Sequence, residues 1–76
     1  MTGFAGGKGL YSGTLATTPD GTQFGLFLEI KKGQRWGLAA TGSTNAAILY
    51  NGASGNYRWR ITGPSGSSYA LCSVVP

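Results

Sequence analysis

The sequence has no histidine, one cysteine and two acidic residues, and these shortages limit its chemistry. Without histidine it lacks the commonest general base and the commonest metal ligand. Cys72 has no second cysteine for an intrachain disulfide and no histidine to activate its thiol. Asp20 lies in a turn-like stretch and Glu29 in a strand-like run, so the two carboxylates are not spaced as an acid–base pair. We therefore expect a protein that is not an enzyme and has no cofactor or metal.

Charge is also scarce, because charged residues make up 11% of the chain where about 25% is usual. The formal net charge is +4. No stretch approaches the roughly 20 apolar residues that cross a bilayer, so membrane insertion is not expected. The N-terminus lacks the charged region and apolar run of a secretory signal. We expect a cytoplasmic product as synthesised, with association with a virion as a specific variant of that expectation.

A chain of 76 residues is one small domain, and it has few means of stabilising a small core. Domains of this size usually add disulfides, a metal or a partner subunit. The first two are excluded within one chain, and 14 glycines raise the entropic cost of folding. Self-association is therefore expected. Residues 1–9 are predicted to be a flexible, glycine-rich N-terminal arm, and residues 10–76 a single β domain.

Hydrophobic residues alternate with a period of two, which is typical of β-strands. The clearest run places Phe24, Leu26, Leu28 and Ile30 on one face. Turn residues recur every 9 to 12 positions, the spacing of small antiparallel β proteins. The fold class is predicted as all-β, either a small antiparallel barrel or a two-layer sandwich of about six short strands. The predicted core comprises Phe24, Leu26, Leu28, Ile30, Trp36, Leu38, Ile48, Tyr50, Tyr57, Trp59, Ile61 and Leu71.

The stretch Thr18-Pro19-Asp20-Gly21 has the composition of a tight turn. Proline fixes φ at the first corner and glycine supplies the positive φ that follows. We predict that this turn joins the first two strands as a hairpin.

The segment YRWRI at residues 57–61 allows two interpretations, an ordinary half-buried strand or a surface for a polyanion. Its cations share one face, but strand geometry puts Tyr57 and Trp59 on the opposite one. We read it first as a strand. The face predicted for an anionic partner is Lys31, Lys32, Arg35, Arg58 and Arg60, and single-stranded nucleic-acid binding by a small barrel is one alternative function.

A second alternative is a lectin-like module that binds carbohydrate, with Asn51, Asn56 and Tyr57 as its contacts. The favoured hypothesis is a non-catalytic, self-associating structural module, of the kind that decorates a virion or binds its coat. Its low charge and its last strand, which is apolar on both faces, favour contact with copies of itself or with a larger assembly. The predicted interface residues are Phe4, Phe27, Val74 and Val75.

Overall fold

The computed structural model describes residues 3–43 and 47–76, which form a sandwich of two antiparallel sheets. Its strands are β1 (Phe4–Gly6), β2 (Gly9–Thr18), β3 (Gly25–Lys32), β4 (Arg35–Ser43), β5 (Ile48–Gly52), β6 (Gly55–Thr62) and β7 (Ser68–Val74). One sheet has the order β1-β6-β3-β4 and the other the order β5-β2-β7. The all-β prediction is confirmed, and the two-layer sandwich is the architecture adopted.

Both sheets contribute side chains to the core, as alternation along each strand requires. The buried hydrophobic residues are Tyr11, Leu15, Phe24, Leu26, Leu28, Ile48, Tyr57 and Trp59. Four more of the predicted core residues, Ile30, Tyr50, Ile61 and Leu71, are partly buried and pack against this cluster. The prediction missed Tyr11 and Leu15, which line the three-stranded sheet.

Trp36 and Leu38 do not belong to the core, contrary to the prediction. The two-residue turn between β3 and β4 pairs Lys32 with Arg35, and Trp36 therefore lies opposite Lys31 on the outer face. Leu38 lies opposite Glu29 on the same face and is 58% exposed. A β-bulge follows at Ala39. It arises because Ala40, and not Ala39, lies opposite the inward-facing Leu28.

The predicted hairpin between the first two strands is not formed, because β2 and β3 lie in different sheets. The turn itself is present. Gly21 has the expected positive φ of 83°, and the backbone N–H of Thr22 donates to the Pro19 carbonyl at 3.2 Å. The Thr18–Pro19 peptide bond is cis. The segment thus connects the two sheets of the sandwich and not two neighbouring strands of one sheet. Turn composition does not distinguish these two connections.

The predicted N-terminal arm also differs from the structure, because Phe4–Gly6 forms β1 at the edge of the four-stranded sheet. Phe4 lies opposite Tyr57 in the register, with ring centroids 6.3 Å apart. The contact between Phe4 and Tyr57 buries apolar surface. This burial favours an ordered strand over a flexible arm.

A repeated motif, Gly-x-x-Gly-x-Tyr, carries the chain from one sheet to the other at residues 6–11 (GGKGLY) and 52–57 (GASGNY). The two copies pair crosswise, Gly6 with Gly55 and Gly9 with Gly52. In each copy the tyrosine hydroxyl donates to the carbonyl four residues earlier, at 2.6 Å in both cases. The two tyrosine rings meet with centroids 4.4 Å apart. The sandwich is therefore joined at a local pseudo-two-fold centre.

Candidate interaction surfaces

The outer face of the four-stranded sheet is organised around the carboxylate of Glu29. Its register partner Arg58 donates from Nε to Oε1 at 2.6 Å, and Arg60 donates from Nε to Oε2 at 3.2 Å. Glu29 is only 8% exposed, although its strand position faces outward. A carboxylate so covered is stable only when charge-assisted hydrogen bonds replace its water, and the two guanidinium groups supply them.

Two aromatic rings support these arginines. The Arg58 guanidinium lies 4.5 Å from the centroid of Trp36, and that of Arg60 lies 4.0 Å from the centroid of Phe27. Both distances fall within the range of cation–π attraction. We call the resulting row, Trp36–Arg58–Glu29–Arg60–Phe27, the arginine ladder.

The hydrogen bond from Arg58, with help from Arg60, holds the pKa of the Glu29 carboxyl below its ordinary value of 4.5, against an opposing effect of burial. Glu29 is therefore ionised at neutral pH. Each arginine is held by an ion pair and a ring at once. The ion pairs engage the Nε–H group of each guanidinium, and a partner that bound these arginines would compete with Glu29.

The residues predicted to face an anionic partner are thus divided. Lys31, Lys32 and Arg35 are exposed around the β3–β4 turn, whereas Arg58 and Arg60 belong to the arginine ladder. A shallow depression of about 250 Å³ is lined by Arg58, Trp59, Arg60 and Ile61. Trp59 is buried, so the structure does not present it as a platform for base stacking.

The outer face of the three-stranded sheet has the opposite character. None of its three strands contains a charged residue. Leu49 and Val74 lie on either side of Ser12 in the register and are 69% and 70% exposed, and Leu10 is 57% exposed two residues before Ser12. These three side chains surround a serine on a surface that lacks charge, which we call the uncharged face. Cys72, opposite Thr14, is also exposed on it.

The predicted interface residues separate into two groups. Phe4 packs against the core and Phe27 lies under Arg60, so neither aromatic ring is a free anchor. Val74 and Val75 are exposed at the end of the three-stranded sheet. The structure therefore places the accessible members of the predicted interface beside the uncharged face.

The predicted glycan contacts are not brought together. Tyr57 is fully buried, and its hydroxyl donates to the Ala53 carbonyl. Asn51 and Asn56 are exposed, but they lie on the outer faces of different sheets, opposite Leu10 and Ala5 respectively.

Sequence reasoning missed Leu10, Leu49 and the structural role of Glu29. The sequence contained a signal for both leucines. Leu10 directly precedes the inward-facing Tyr11, and Leu49 directly follows the inward-facing Ile48. Large apolar residues at consecutive positions of a strand place one of them outside. The pairing of Glu29 with arginines 29 and 31 residues away had no local signal.

Comparison of the chain with protein-family models, with curated proteins and with solved structures found no match. Within residues 3–43 and 47–76, the structure contains no helix long and apolar enough to cross a membrane.

Proposed function

We propose that the protein is a non-catalytic structural module that self-associates, with the three-stranded sheet as its contact surface. Within this proposal, a decorating or coat-associated subunit of a virion-type particle is the specific role. The observation that carries the proposal is the complete lack of charge in β2, β5 and β7, together with three exposed apolar side chains on their outer face.

Charge is segregated between the layers. Six of the eight charged residues lie in the four-stranded sheet, three in β3, one in β4 and two in β6. Copies with a net charge of +4 repel one another, and contacts through charged groups require their desolvation. The three-stranded sheet avoids that desolvation cost. Depletion of charge at the centre is a property of protein–protein interfaces.

Stability supports the same proposal. The chain has no second cysteine for an internal disulfide, and β7 is exposed at every residue except the half-buried Leu71. Leu10, Leu49 and Val74 are exposed on the outer face of one sheet. Contact of a second copy with this sheet, through its outer face or its β7 edge, would add the burial that a domain of this size lacks.

The alternative functions have weaker support. Single-stranded nucleic acid would compete with Glu29 for Arg58 and Arg60, and buried Trp59 cannot stack on a base without moving. A glycan would meet Asn51 and Asn56 on different faces. Oligonucleotide titration at two salt concentrations tests the first alternative, since about four phosphate contacts would give a slope near −3 in log K against log salt.

The proposal is tested by measuring native mass against concentration, with light scattering after gel filtration. We expect a defined species above the 7.8 kDa of one chain. Cys72→Lys introduces a charge near the middle of β7, where contact through the uncharged face would bury it and contact through the β7 edge would place it beside the same charge of the second copy. We expect at least about tenfold weaker association, equivalent to about 1.4 kcal/mol.

Leu38→Lys is the matched control. Leu38 is as exposed as Leu10 but lies on the four-stranded sheet, and its substitution should leave the native mass unchanged. Circular dichroism establishes that both variants remain folded. A wild-type protein that stays monomeric at high micromolar concentration would refute self-association, and equal effects of the two lysines would refute the assignment of the contact to the three-stranded sheet.

A further inference from the structure

Within residues 3–43 and 47–76 the sandwich has four edge strands, and three of them carry features that discourage pairing. β1 has three residues and β5 has five. β4 is longer, but it contains the bulge after Leu38 and begins with Arg35. Short strands, bulges and edge charges are the usual means by which proteins prevent edge-to-edge contact.

β7 has none of these features. It has seven residues, contains no proline or charge, and pairs with β2 over seven consecutive positions without a bulge. In the part of the chain that the structure describes, β2 is the only strand paired with it. Alternate backbone N–H and C=O groups of β7 therefore point away from the sheet, and an extended strand can bond to them.

We propose that β7 pairs antiparallel with β7 of a second copy, so that two three-stranded sheets become one six-stranded sheet of order β5-β2-β7-β7-β2-β5. This inference rests on the proposed self-association and specifies the surface responsible for it. Pairing centred on Leu71, the middle residue of Ser68–Val74, would use the whole strand in both copies.

The lack of charge favours a second copy as the occupant. Two identical edges that carry charge would repel, but the edges of β7 and its whole sheet carry none. A two-fold axis through Leu71 makes the edge its own complement, as an isologous interface requires. The axis also places the two uncharged faces side by side, so that Leu10, Leu49 and Val74 of both copies lie on the same side of the joined sheet.

The native cysteine allows a direct test. With Leu71 on the axis, Cys72 of one copy faces Ala70 of the other, and the two Cys72 residues become diagonal neighbours about 7–8 Å apart. A short bismaleimide should link them rapidly at concentrations where the protein is oligomeric. Diluting below the dissociation constant before adding the reagent gives the background from random collision.

The matched control moves the thiol to the far side of the same face. In the double variant Asn51→Cys/Cys72→Ser, which leaves Leu10, Leu49 and Val74 unchanged, the two thiols would be separated by five strand spacings, at least roughly 24 Å. We expect this variant to remain oligomeric by light scattering but to cross-link no faster than the diluted sample. The wild type and the double variant each carry one exposed thiol, so a difference in rate reports position.

Hydrogen exchange provides an independent measurement on the unmodified chain. The outward-pointing amides of β7 should exchange slowly in the oligomer and at least about tenfold faster on dilution, whereas amides already bonded to β2 should change less.

The outcomes separate the two proposals. Edge pairing is supported if the oligomeric wild type cross-links rapidly through Cys72 while the oligomeric double variant stays at the background rate. If the double variant cross-links as fast as the wild type, or if the β7 amides are not protected, edge pairing is overturned and self-association is left standing. A protein that is monomeric at every concentration overturns both.

Discussion

The two sheets of this sandwich are built from the same kind of alternating strand, yet the outward-facing side chains of one sheet contact one another and those of the other are exposed. On the four-stranded sheet, charged and aromatic side chains satisfy one another in the arginine ladder. On the three-stranded sheet, Leu10, Leu49 and Val74 are left in water with no charge nearby on their strands. The first face pairs its buried carboxylate within one chain, whereas the second is the surface that we propose to contact a partner.

If the proposed contact surface is correct, net charge is a poor guide to where this protein binds. The cations of this chain suggest an anionic ligand, but two of them are engaged by Glu29 and by aromatic rings. The sheet without charge carries more of the exposed large hydrophobic residues, Leu10, Leu49, Tyr69 and Val74, against Leu38 on the other sheet. In a small β domain, the exposed face that lacks internal partners is therefore the better candidate for function.

The largest expected effect comes from disrupting the tyrosine contact at which the two sheets are joined. Tyr57→Ala removes a fully buried ring and its contacts with Tyr11 and Phe4, and we expect a loss of about 4 kcal/mol, enough to unfold a marginal domain. Tyr57→Phe removes only the hydrogen bond to Ala53 and should cost about 1 kcal/mol.

Thermal or urea unfolding at one fixed protein concentration measures both losses. Tyr69→Phe is the control, because Tyr69 is 46% exposed and its substitution should cost almost nothing. A Tyr57→Phe variant as stable as the wild type would show that the corner hydrogen bond contributes nothing.

An intermediate effect is expected at the arginine ladder. Glu29→Gln leaves two arginines facing a neutral amide, and we expect about 1–2 kcal/mol of destabilisation because both guanidinium groups are partly exposed. Asp20→Asn, at an exposed turn, is the control and should change stability little.

The same carboxylate predicts an acid dependence with a definite sign. The pKa of Glu29 is lowered in the folded state, so its ionised form contributes stability that is fully present above its ordinary value of 4.5 and is lost as pH falls through the folded-state pKa. Urea unfolding between neutral pH and pH ~3 should show a smaller acid-induced loss for Glu29→Gln than for the wild type. Identical pH profiles would contradict the role assigned to the ladder.

The smallest effect should be that of salt on self-association. Because the three-stranded sheet has no charge, raising salt from ~0.05 to ~0.5 M should change the dissociation constant less than about threefold, or tighten binding slightly by screening the repulsion between copies. Analytical ultracentrifugation measures it. Marked weakening would assign the contact to the arginines of the four-stranded sheet.

Much of the fold could be predicted from local pattern, and the reasons for the exceptions are specific. Alternation along Phe24, Leu26 and Leu28 identified β3 and its buried face. The turn at Pro19 was recognised, but turn composition does not encode whether the following strand joins the same sheet or the opposite one. The exposure of Leu38 could have been anticipated from the two-residue turn before β4, which fixes the register.

The candidate surfaces were less accessible to sequence reasoning because they depend on contacts between distant strands. The repeat GGKGLY and GASGNY was visible, yet its meaning required the crosswise pairing of its glycines. Glu29 was assigned to a solvent-facing strand surface, and only the pairing of β3 with β6 shows that two arginines cover it.

The bulge on β4 limits how large the proposed assembly can become. Because the surplus residue Ala39 interrupts the hydrogen-bonding repeat of that strand, a further molecule cannot extend the four-stranded sheet along a regular template. If two β7 strands join, the five-residue β5 would border the merged sheet at each end, as far as the described residues show. Growth would therefore stop at a dimer, which is a closed assembly. A second unprotected edge strand would instead allow growth into a fibre.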